Sequence, residues 1–384
     1  MSGDSVEDMI YISTKIVEYK KGVVTMVRKK IAKKNSTVPA TVNEEKGKKS
    51  KTQKHFNLIK RIEEIRGSKV ICFLTSLRPN VPSQISDDSV RVFFDHLLLL
   101  EKRPVKKLDI FLCSNGGSGT VPWRLVSLFR EFSKSFNVLI PYRAYSAASL
   151  IALGADEIVM HPFAEMGPID PTVSNEFNPT DNTGRRLGIS VEDVTAYVNF
   201  VKSTVGITHE DELVKTIEIL AQKVHPLAIG NVERFISQSR MIAKKILRTH
   251  MEDKDIHVID EIIENMASKL YFHGHPINRK EAKDELKLKV NIDLPLNLEE
   301  AMWGLYKIYE TEFQNLEIFN PLADLEKENI QTKEYELTHA IIDSVRLSSR
   351  YKTQRRYTKG AAQAGFPAIQ EHILLQGWSH LSVQ

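Results

Sequence analysis

The stretch from Leu108 to Val173 decides the fold, and it reads LDIFLCSNGGSGTVPWRLVSLFREFSKSFNVLIPYRAYSAASLIALGADEIVMHPFAEMGPIDPTV. Apolar runs short enough for buried strands alternate in it with runs at helical spacing. The turns between them hold Asn115-Gly116-Gly117 and Tyr145-Ser146-Ala147-Ala148. Buried strands that feed helices through tight turns of small residues are typical of an α/β fold. Repeated strand–helix crossovers further predict parallel strands joined by right-handed connections.

The same alternation extends on both sides of this stretch. Strands are predicted over Lys69–Leu77, Leu108–Ser114, Asn137–Tyr142, Glu157–Met160 and Lys287–Ile292. Helices are predicted over Phe56–Arg66, Asp87–Leu100, Pro122–Ser133 and Ala147–Leu153. From Ser190 onward the pattern is mostly helical, with helices over 190–201, 210–224, 227–250, 260–272, 279–285 and from about Leu298. The chain is therefore predicted to be an α/β domain with a helical peripheral region.

Composition limits the classes of protein that remain. The 384 residues are 42% hydrophobic, which is enough for a large buried core. No apolar run approaches the roughly 18 residues of a membrane-spanning helix, and acids rather than a basic-then-apolar pattern follow Met1. Cys72 and Cys113 lie in strand-like apolar runs. They are predicted to be small core residues of a protein in a reducing compartment, with a disulfide between neighbouring strands as the alternative. These features predict a cytoplasmic protein.

Charge and complexity divide the chain into four predicted segments. Residues 1–34 form a basic amphipathic helix that could lie on an anionic membrane surface, dock on a partner or stay solvated. Residues 35–54 are rich in Lys, Ser, Thr and Glu and predict a disordered linker. Residues 55–310 form the α/β domain, and residues 311–384 a charged C-terminal appendage. Residues 1–60 hold fourteen Lys and Arg against six Asp and Glu, a basic excess typical of a tail and not of a specific nucleic-acid-binding core.

The glycine pair that closes the strand before Ser118 is the first candidate functional feature. Paired glycines permit positive φ and close approach of a substrate backbone. The N–H groups of Gly116 and Gly117 can point at a developing oxyanion. The alternative is an ordinary strand-to-helix turn.

Ser146 is the second candidate, because it directly precedes the small-residue helix AASLIALGA. A serine at that place has its hydroxyl at the amino end of the helix, where the helix dipole favours developing negative charge. The alternative is a routine N-cap, since serine is a preferred cap residue. Ser149 is a competing nucleophile one turn into the helix, where a hydroxyl usually bonds back to a carbonyl of the preceding turn.

These residues also carry a family resemblance. Gly116-Gly117, Trp123-Arg124, Ser146-Ala147, the run Leu150–Met160 and Gly167-Pro-Ile-Asp-Pro171 are similar to the serine dehydrogenase proteinase family, whose members are related to signal peptide peptidase A and the proteolytic subunit of the Clp protease. The similarity continues through Ser190–Tyr197, His225–Gly230 and His273–Ile277 and covers about residues 65–310.

The resemblance implies a Clp/crotonase-like fold of repeated strand–strand–helix units. It also implies a serine endopeptidase that cleaves peptide or protein substrates, works as a homo-oligomer and needs no cofactor or metal. Ser146 would be the nucleophile, and the N–H groups of Gly116 and Gly117 would form the oxyanion hole. The family commonly reads Ser-Ala-Gly-Thr at the nucleophile, whereas this chain reads Ser146-Ala-Ala-Ser149, so the Ala148 methyl group would narrow the site.

The general base does not follow from the resemblance. The position of the Clp histidine falls on Pro171, and the position of the lysine of the Ser–Lys relatives falls on Glu192 or Asp193. We expect His225 to be the base, oriented by Asp193 on the general logic of triads, with a capping or core histidine as the alternative. The remaining candidates are His161, Lys202 and Lys223.

Two other classes of function stay open on the sequence. One is a catalytically degenerate scaffold or binding protein of the same fold, which keeps the pocket without a competent base. The other is an acyl-CoA enzyme of the crotonase type, which would not need a serine beside the oxyanion pair. His273-Gly-His275 lacks further ligands at metal spacing, and the absence of a Walker-type loop means that any ATP-driven unfolding would need a partner.

Overall fold

A computed structural model describes residues 42–169, 172–173, 176–178, 180, 189–269, 275–360 and 369–382. The chain divides into two compact units, Met1–Lys48 and Lys49–Gln384. Of the first unit only residues 42–48 are described, as the start of a helix, so the predicted amphipathic helix over 1–34 lies outside the described residues. The second unit holds the sheets, the helices and both candidate turns.

Most helices begin and end within a few residues of the predicted bounds. The helix predicted from Phe56 begins at Val42, the helix predicted over 260–272 spans Ile256–Glu264, and the helix Pro321–Lys327 was not predicted. They are α1 (Val42–Arg66), α2 (Asp88–Leu98), α3 (Val121–Phe132), α4 (Ala147–Leu153), α5 (Val191–Asn199), α6 (Glu210–Ala221), α7 (Pro226–Leu247), α8 (Ile256–Glu264), α9 (Arg279–Asp284), α10 (Leu296–Phe313) and α11 (Pro321–Lys327). Short π-helical segments follow α5 over Phe200–Val205 and α8 over Asn265–Lys269, and a 3₁₀ turn spans Asp253–Asp255.

The strands form three sheets in the described part of the chain. They are β1 (Lys69–Thr75), β2 (Leu108–Cys113), β3 (Phe136–Ile140), β4 (Arg143–Ala144), β5 (Glu157–Met160), β6 (Glu165–Met166), β7 (Thr172–Val173), β8 (Ile189–Ser190), β9 (Ile277–Asn278), β10 (Val290–Asn291), β11 (Thr332–Asp343), β12 (Leu347–Lys359) and β13 (Ile369–Ser382). The main sheet has the order β10-β5-β3-β2-β1-β11-β12-β13, and smaller sheets have the orders β4-β6-β9 and β7-β8.

The first five strands of the main sheet confirm the predicted parallel arrangement. β10, β5, β3, β2 and β1 all pair in parallel, and each of the pairs from β1 to β5 is separated by helical chain. One face packs against α2, α3, α4, α7 and α8, and the other packs against α1 and α10. Because both faces are covered, β2 and β3 are buried along their whole length, which is why their sequences are mainly apolar. Their two polar residues are paired, since the Asn137 side chain donates to Asp109 at 2.8 Å. Cys72 and Cys113 are buried and free.

The prediction that residues 311–384 form an appendage separate from the α/β domain is wrong. β11 pairs antiparallel with β1, with Cys72 opposite Asp343, and β12 and β13 continue the sheet. The charges that indicated a tail are paired within it: Arg350 with Asp343, and Lys352 with Glu336 across the strands. Cross-strand pairs of opposite charge stabilise a sheet, but a one-dimensional sequence pattern does not show them.

The predicted linker is also wrong from residue 42 to residue 54, because α1 begins at Val42. That stretch has little to bury, which is why its composition indicated disorder. Lys and Glu are nevertheless strong helix formers, and Phe56, Ile59 and Ile62 later in the same helix are buried under the sheet.

Candidate active site

Ser146 lies between β4 and α4 in a backbone conformation that side chains rarely adopt. β4 is a two-residue strand that follows β3, so the units β3, β4 and α4 give the strand–strand–helix order. Ser146 has φ 52° and ψ −114°, whereas a non-glycine residue with positive φ is uncommon and costs about 1–3 kcal/mol. Strain of this kind is retained only where the surrounding structure imposes it, and it is concentrated at functional sites.

The Ser146 hydroxyl does not act as a helix cap. No hydrogen bond joins its side chain to the first turn of α4, and the residue is half-buried. A routine N-cap serine has β-region dihedrals and accepts a bond from an N–H two or three residues on. The cap interpretation of Ser146 therefore fails on both the dihedrals and the hydrogen bond.

Gly116 packs its backbone directly against Ser146. It has φ +105°, and a Cβ at this position would lie 2.7 Å from the Ser146 Cβ, 2.7 Å from the Tyr145 carbonyl oxygen and 3.2 Å from the Ala147 nitrogen. Gly117 has φ +152°, and a Cβ there would lie 2.3 Å from the carbonyl oxygen of Ile85. Close contacts on two sides therefore require glycine at both positions, and Gly116 lies directly against Ser146.

The two glycine N–H groups differ in their partners. Gly116 N–H donates to Ser114 Oγ at 3.0 Å, so one of the two N–H groups predicted for the oxyanion hole is already bonded. Thr75 Oγ1 in turn donates to Ser114 Oγ at 2.8 Å and holds it in place. In the described structure Gly117 N–H has no recorded partner, because the chain of Ile85 bonds instead to the Gly116 carbonyl and the Ser118 N–H.

Ser149 is held inside the protein. Its side chain is buried, and its hydroxyl lies 2.6 Å from the carbonyl oxygens of both Ala144 and Gly167, to which it donates. These contacts tie α4 to β4 and to the chain after β6. A buried hydroxyl engaged with two carbonyls is a structural group, which leaves the half-buried Ser146 as the accessible serine of this turn.

A polar network lies beside the Ser146 turn. Glu165 Oε1 accepts from Arg143 Nε at 2.7 Å and from the Tyr145 hydroxyl at 2.8 Å. Burial and the neighbouring Glu165 carboxylate raise the pKa of Tyr145 well above its usual range, so its hydroxyl stays protonated and donates. Tyr145 is therefore a hydrogen-bond donor that fixes the turn and is not a base.

His225 caps α7 and has no recorded contact with the Ser146 turn. Its Nδ1 accepts from Leu227 N–H at 3.2 Å, and its exposed ring stacks on Phe177 with centroids 5.0 Å apart. Ser239, further along α7, bonds to the Ile169 carbonyl near the turn, and the 14 residues from His225 to Ser239 span about 21 Å of helix. The described contacts thus give no support to His225 as the base, and its assignment stays a prediction.

The orienting Asp193 and the remaining candidate bases have no recorded hydrogen bond to Ser146 in the part of the chain that the structure describes. Asp193 lies in α5, but its side chain is outside the described residues. His161 stacks on Trp303 with centroids 5.3 Å apart, its Nδ1 accepts from Phe163 N–H, and burial lowers its pKa. Lys202 and Lys223 are exposed in the helical region. Among the described side chains, none that could take a proton is hydrogen-bonded to Ser146.

Sequence reasoning missed two supports of this site. The main chain of Ile85 runs parallel to Gly117 as an isolated bridge, and Ser114 accepts the Gly116 N–H. Nothing in the spacing of the sequence links residue 85 to residue 117. Ser114 was visible as the hydroxyl residue that ends a buried strand, although its partner could not be predicted.

Comparison with known families bears directly on this turn. Residues 41–182 match the family of ClpP-like SDH-type serine proteinases. The resemblance to the serine dehydrogenase proteinase family is confirmed. The matched segment includes Gly116, Gly117 and Ser146 and ends before Asp193 and His225. The predicted α/β, Clp-like fold class is confirmed with it.

The similar individual proteins have no activity stated in their names. Two uncharacterised proteins of Methanocaldococcus jannaschii are similar to the chain. One is 26% identical over 256 residues, which are 65% of this chain and 75% of the relative. The other is 22% identical over 205 residues, 53% of this chain and 59% of the relative.

Two solved structures are also similar. Both are mutant forms of a membrane-bound stomatin-specific protease, one of them in complex with a substrate peptide. They are 17% and 18% identical and cover 35% of this chain, each with a TM-score of 0.25. This chain spans 61% and 57% of those two chains, less than two thirds of their length. Across the part of this chain that the structure describes, no helix is long and apolar enough to cross a bilayer.

Proposed function

We propose that this protein is a serine endopeptidase in which Ser146 forms an acyl-enzyme with the carbonyl carbon of a peptide bond. The observation that carries the proposal is the backbone of Ser146, strained at φ 52° with a hydroxyl that caps nothing, against the Gly116-Gly117 turn. The similarity of residues 41–182 to a family of serine proteinases supports the class of reaction. The leaving amine would depart from the tetrahedral intermediate, and water would then hydrolyse the ester.

For the oxyanion we propose the N–H of Gly117 together with the N–H of Ala147. Gly117 N–H has no recorded partner in the described structure, whereas Gly116 N–H is bonded to Ser114. The Ala147 nitrogen lies 3.2 Å from the position of a Gly116 Cβ, so it faces the same turn at the start of α4. Donors fixed by the backbone cost no reorganisation when negative charge develops on the substrate oxygen.

Attack by Ser146 also requires a proton acceptor. The sequence predicts His225, oriented by Asp193, as that acceptor. Because His225 is exposed and caps α7, we expect its removal to change the reactivity of Ser146 little, and His225→Ala is the variant that decides. The proton of Ser146 would pass to the acceptor and then to the leaving amine.

A second candidate is a non-catalytic scaffold of the same fold. It is favoured by one observation, namely that no described His, Lys, Asp or Glu side chain is hydrogen-bonded to Ser146. Such a protein would bind peptides without cleaving them.

Digestion of a peptide library by the full chain, with products identified by mass spectrometry, separates the two candidates. We expect new amino termini in the wild-type digest and none with Ser146→Ala. Peptide binding without cleavage in the wild type would support the scaffold. The predicted homo-oligomer and the membrane-surface contact of residues 1–34 also stay proposals, to be checked by sedimentation and by vesicle binding.

A further inference from the structure

A basic cavity opens at the end of the main sheet where β1 and β2 begin, opposite to the end that carries the Ser146 turn. Its volume is about 940 Å³, and Ser68, Lys69 and Val70 line it where β1 begins. Lys107 lies directly before β2, whereas Gly116 follows the carboxyl end of that strand. β2 has six residues, so about 20 Å of strand separates the cavity from the glycine turn.

Positive charge dominates the lining of the cavity. The basic side chains are Lys60, Lys69, Lys102, Lys106, Lys107, Lys134 and Arg346. The only acidic side chains among the lining residues are Glu63 and Glu101. The lining therefore carries a formal excess of five positive charges.

The two carboxylates are already paired. Glu63 Oε2 lies 3.2 Å from Lys69 Nζ, and Glu101 pairs with Arg346, which also donates to the Leu99 carbonyl. For the remaining five lysines of the lining, the described structure records no ion pair. Lys107 lies within the field of Glu157, but that carboxylate is itself bonded to Arg66 at 2.7 Å. Five ammonium groups around one cavity thus have no ion-pair partner among the described residues.

Apolar side chains cover part of the interior. Val70, Ile71 and Val105 are buried residues of the wall, and Leu99 and Leu100 stand beside them. No Phe, Tyr or Trp occurs among the lining residues. Single-stranded nucleic acids are held largely by stacking on such rings, so the lining does not fit an RNA groove.

We propose that this cavity binds a small molecule with a phosphate chain, such as a nucleoside triphosphate or inorganic tripolyphosphate. Lysines bind phosphate as point charges, and several of them around one cavity match several linked phosphates. The volume lies near the upper end of the roughly 300–1,000 Å³ of ordinary small-molecule sites. The ligand is not the peptide substrate, because the cavity lies where β1 and β2 begin and the Ser146 turn lies at the opposite ends of the strands.

Calorimetric titration of the full chain with tripolyphosphate, ATP and AMP at about 50 mM salt tests the proposal, because screening weakens exposed charge contacts at higher salt. The cavity variant is Lys102→Glu/Lys106→Glu/Lys134→Glu. Its matched control, Lys283→Glu/Lys307→Glu/Lys327→Glu, changes three exposed lysines outside the lining by the same net charge. Circular dichroism verifies that both variants fold.

We expect tripolyphosphate and ATP to bind wild type at least tenfold more tightly than AMP. The cavity variant should lose at least tenfold in affinity, and the control should stay within about threefold. Equal affinity for ATP and tripolyphosphate would identify the phosphate chain alone as the bound group. Tighter binding of ATP would show that the apolar wall also contacts the nucleoside. Equal losses in both variants, or no binding to wild type, would overturn the proposal. Peptidase activity does not enter the test, so the two proposals stand or fall separately.

Discussion

Gly116 and Ser146 are in backbone contact, with only 2.7 Å between the Ser146 Cβ and the place where a Gly116 side chain would begin. The contact joins the turn after β2 to the start of α4. It also explains why glycine is needed at residue 116, since φ +105° and the missing Cβ are both required there. The Ser146 turn and the glycine turn are therefore in close contact, and we expect a substitution in one turn to displace the other.

Gly116→Ala should slow modification of Ser146 by a fluorophosphonate by more than about tenfold, because a methyl group at 2.7 Å from Ser146 displaces the turn and its N–H donors. Gly119→Ala is the matched control, since nothing lies within 4 Å of a Cβ at that position. Mass spectrometry of the labelled protein over time gives both rates. Equal rates in the two variants would show that the contact has no role in reactivity.

Ser146→Gly should be more stable than Ser146→Ala by about 1 kcal/mol. Glycine adopts positive φ without strain, whereas alanine at this position retains the backbone strain of Ser146. Urea unfolding monitored by fluorescence measures the difference. A more stable alanine variant would mean that the conformation of Ser146 is not strained.

His225→Ala should lower the free energy of unfolding by about 1 kcal/mol, the usual loss for a helix cap, since its Nδ1 accepts from Leu227 N–H. We expect the labelling rate of Ser146 to stay within about twofold of wild type. A decrease of tenfold or more, in a variant that folds, would establish His225 as the base despite its exposed position.

Asp343 should make the largest single electrostatic contribution to stability. Burial disfavours its charged form, but the charge of Arg350 outweighs burial and holds the pKa of Asp343 well below its usual range. Asp343→Asn leaves a buried Arg350 without its full partner and should cost about 3–5 kcal/mol. Glu336→Gln, which removes an exposed pair with Lys352, should cost about 0–1 kcal/mol. Similar urea midpoints for the two variants would contradict this account.

Stability should fall between pH 7.5 and pH 5 because of His96. Burial lowers the pKa of His96 to about 4, from an unfolded value near 6.5, while Ser344 and Ser349 lie 3.0 Å from its two ring nitrogens. The unfolded chain binds the proton first, so stability is present above pH 6.5 and is lost as the pH falls toward 4, by about 2 kcal/mol at pH 5. His96→Gln should reduce this slope without abolishing it, because burial also lowers the pKa of His250 to about 4. His372→Gln, an exposed control, should leave the slope unchanged. The same slope in all three proteins would refute the assignment.

The sequence predicted α4 and β5 to the residue because local signals define them. Small apolar residues follow Ser146, and a continuous apolar run ends at Met160. The strands β11 to β13 were missed because their stabilising contacts, such as Arg350 with Asp343, join residues that only the folded sheet brings together. The base was not predictable for a related reason. A proton acceptor is defined by its distance from Ser146, and no spacing in the helical region after Ser190 encodes that distance.

Reaction of the folded full chain with a fluorophosphonate, followed by mapping of the adduct by mass spectrometry, tests the central claim most directly. We predict a single adduct on Ser146, lost in Ser146→Ala and retained in Ser149→Ala, whose buried hydroxyl only bridges two carbonyls. An adduct on Ser149, or no adduct on folded wild-type protein, would contradict the assignment of Ser146 as the nucleophile.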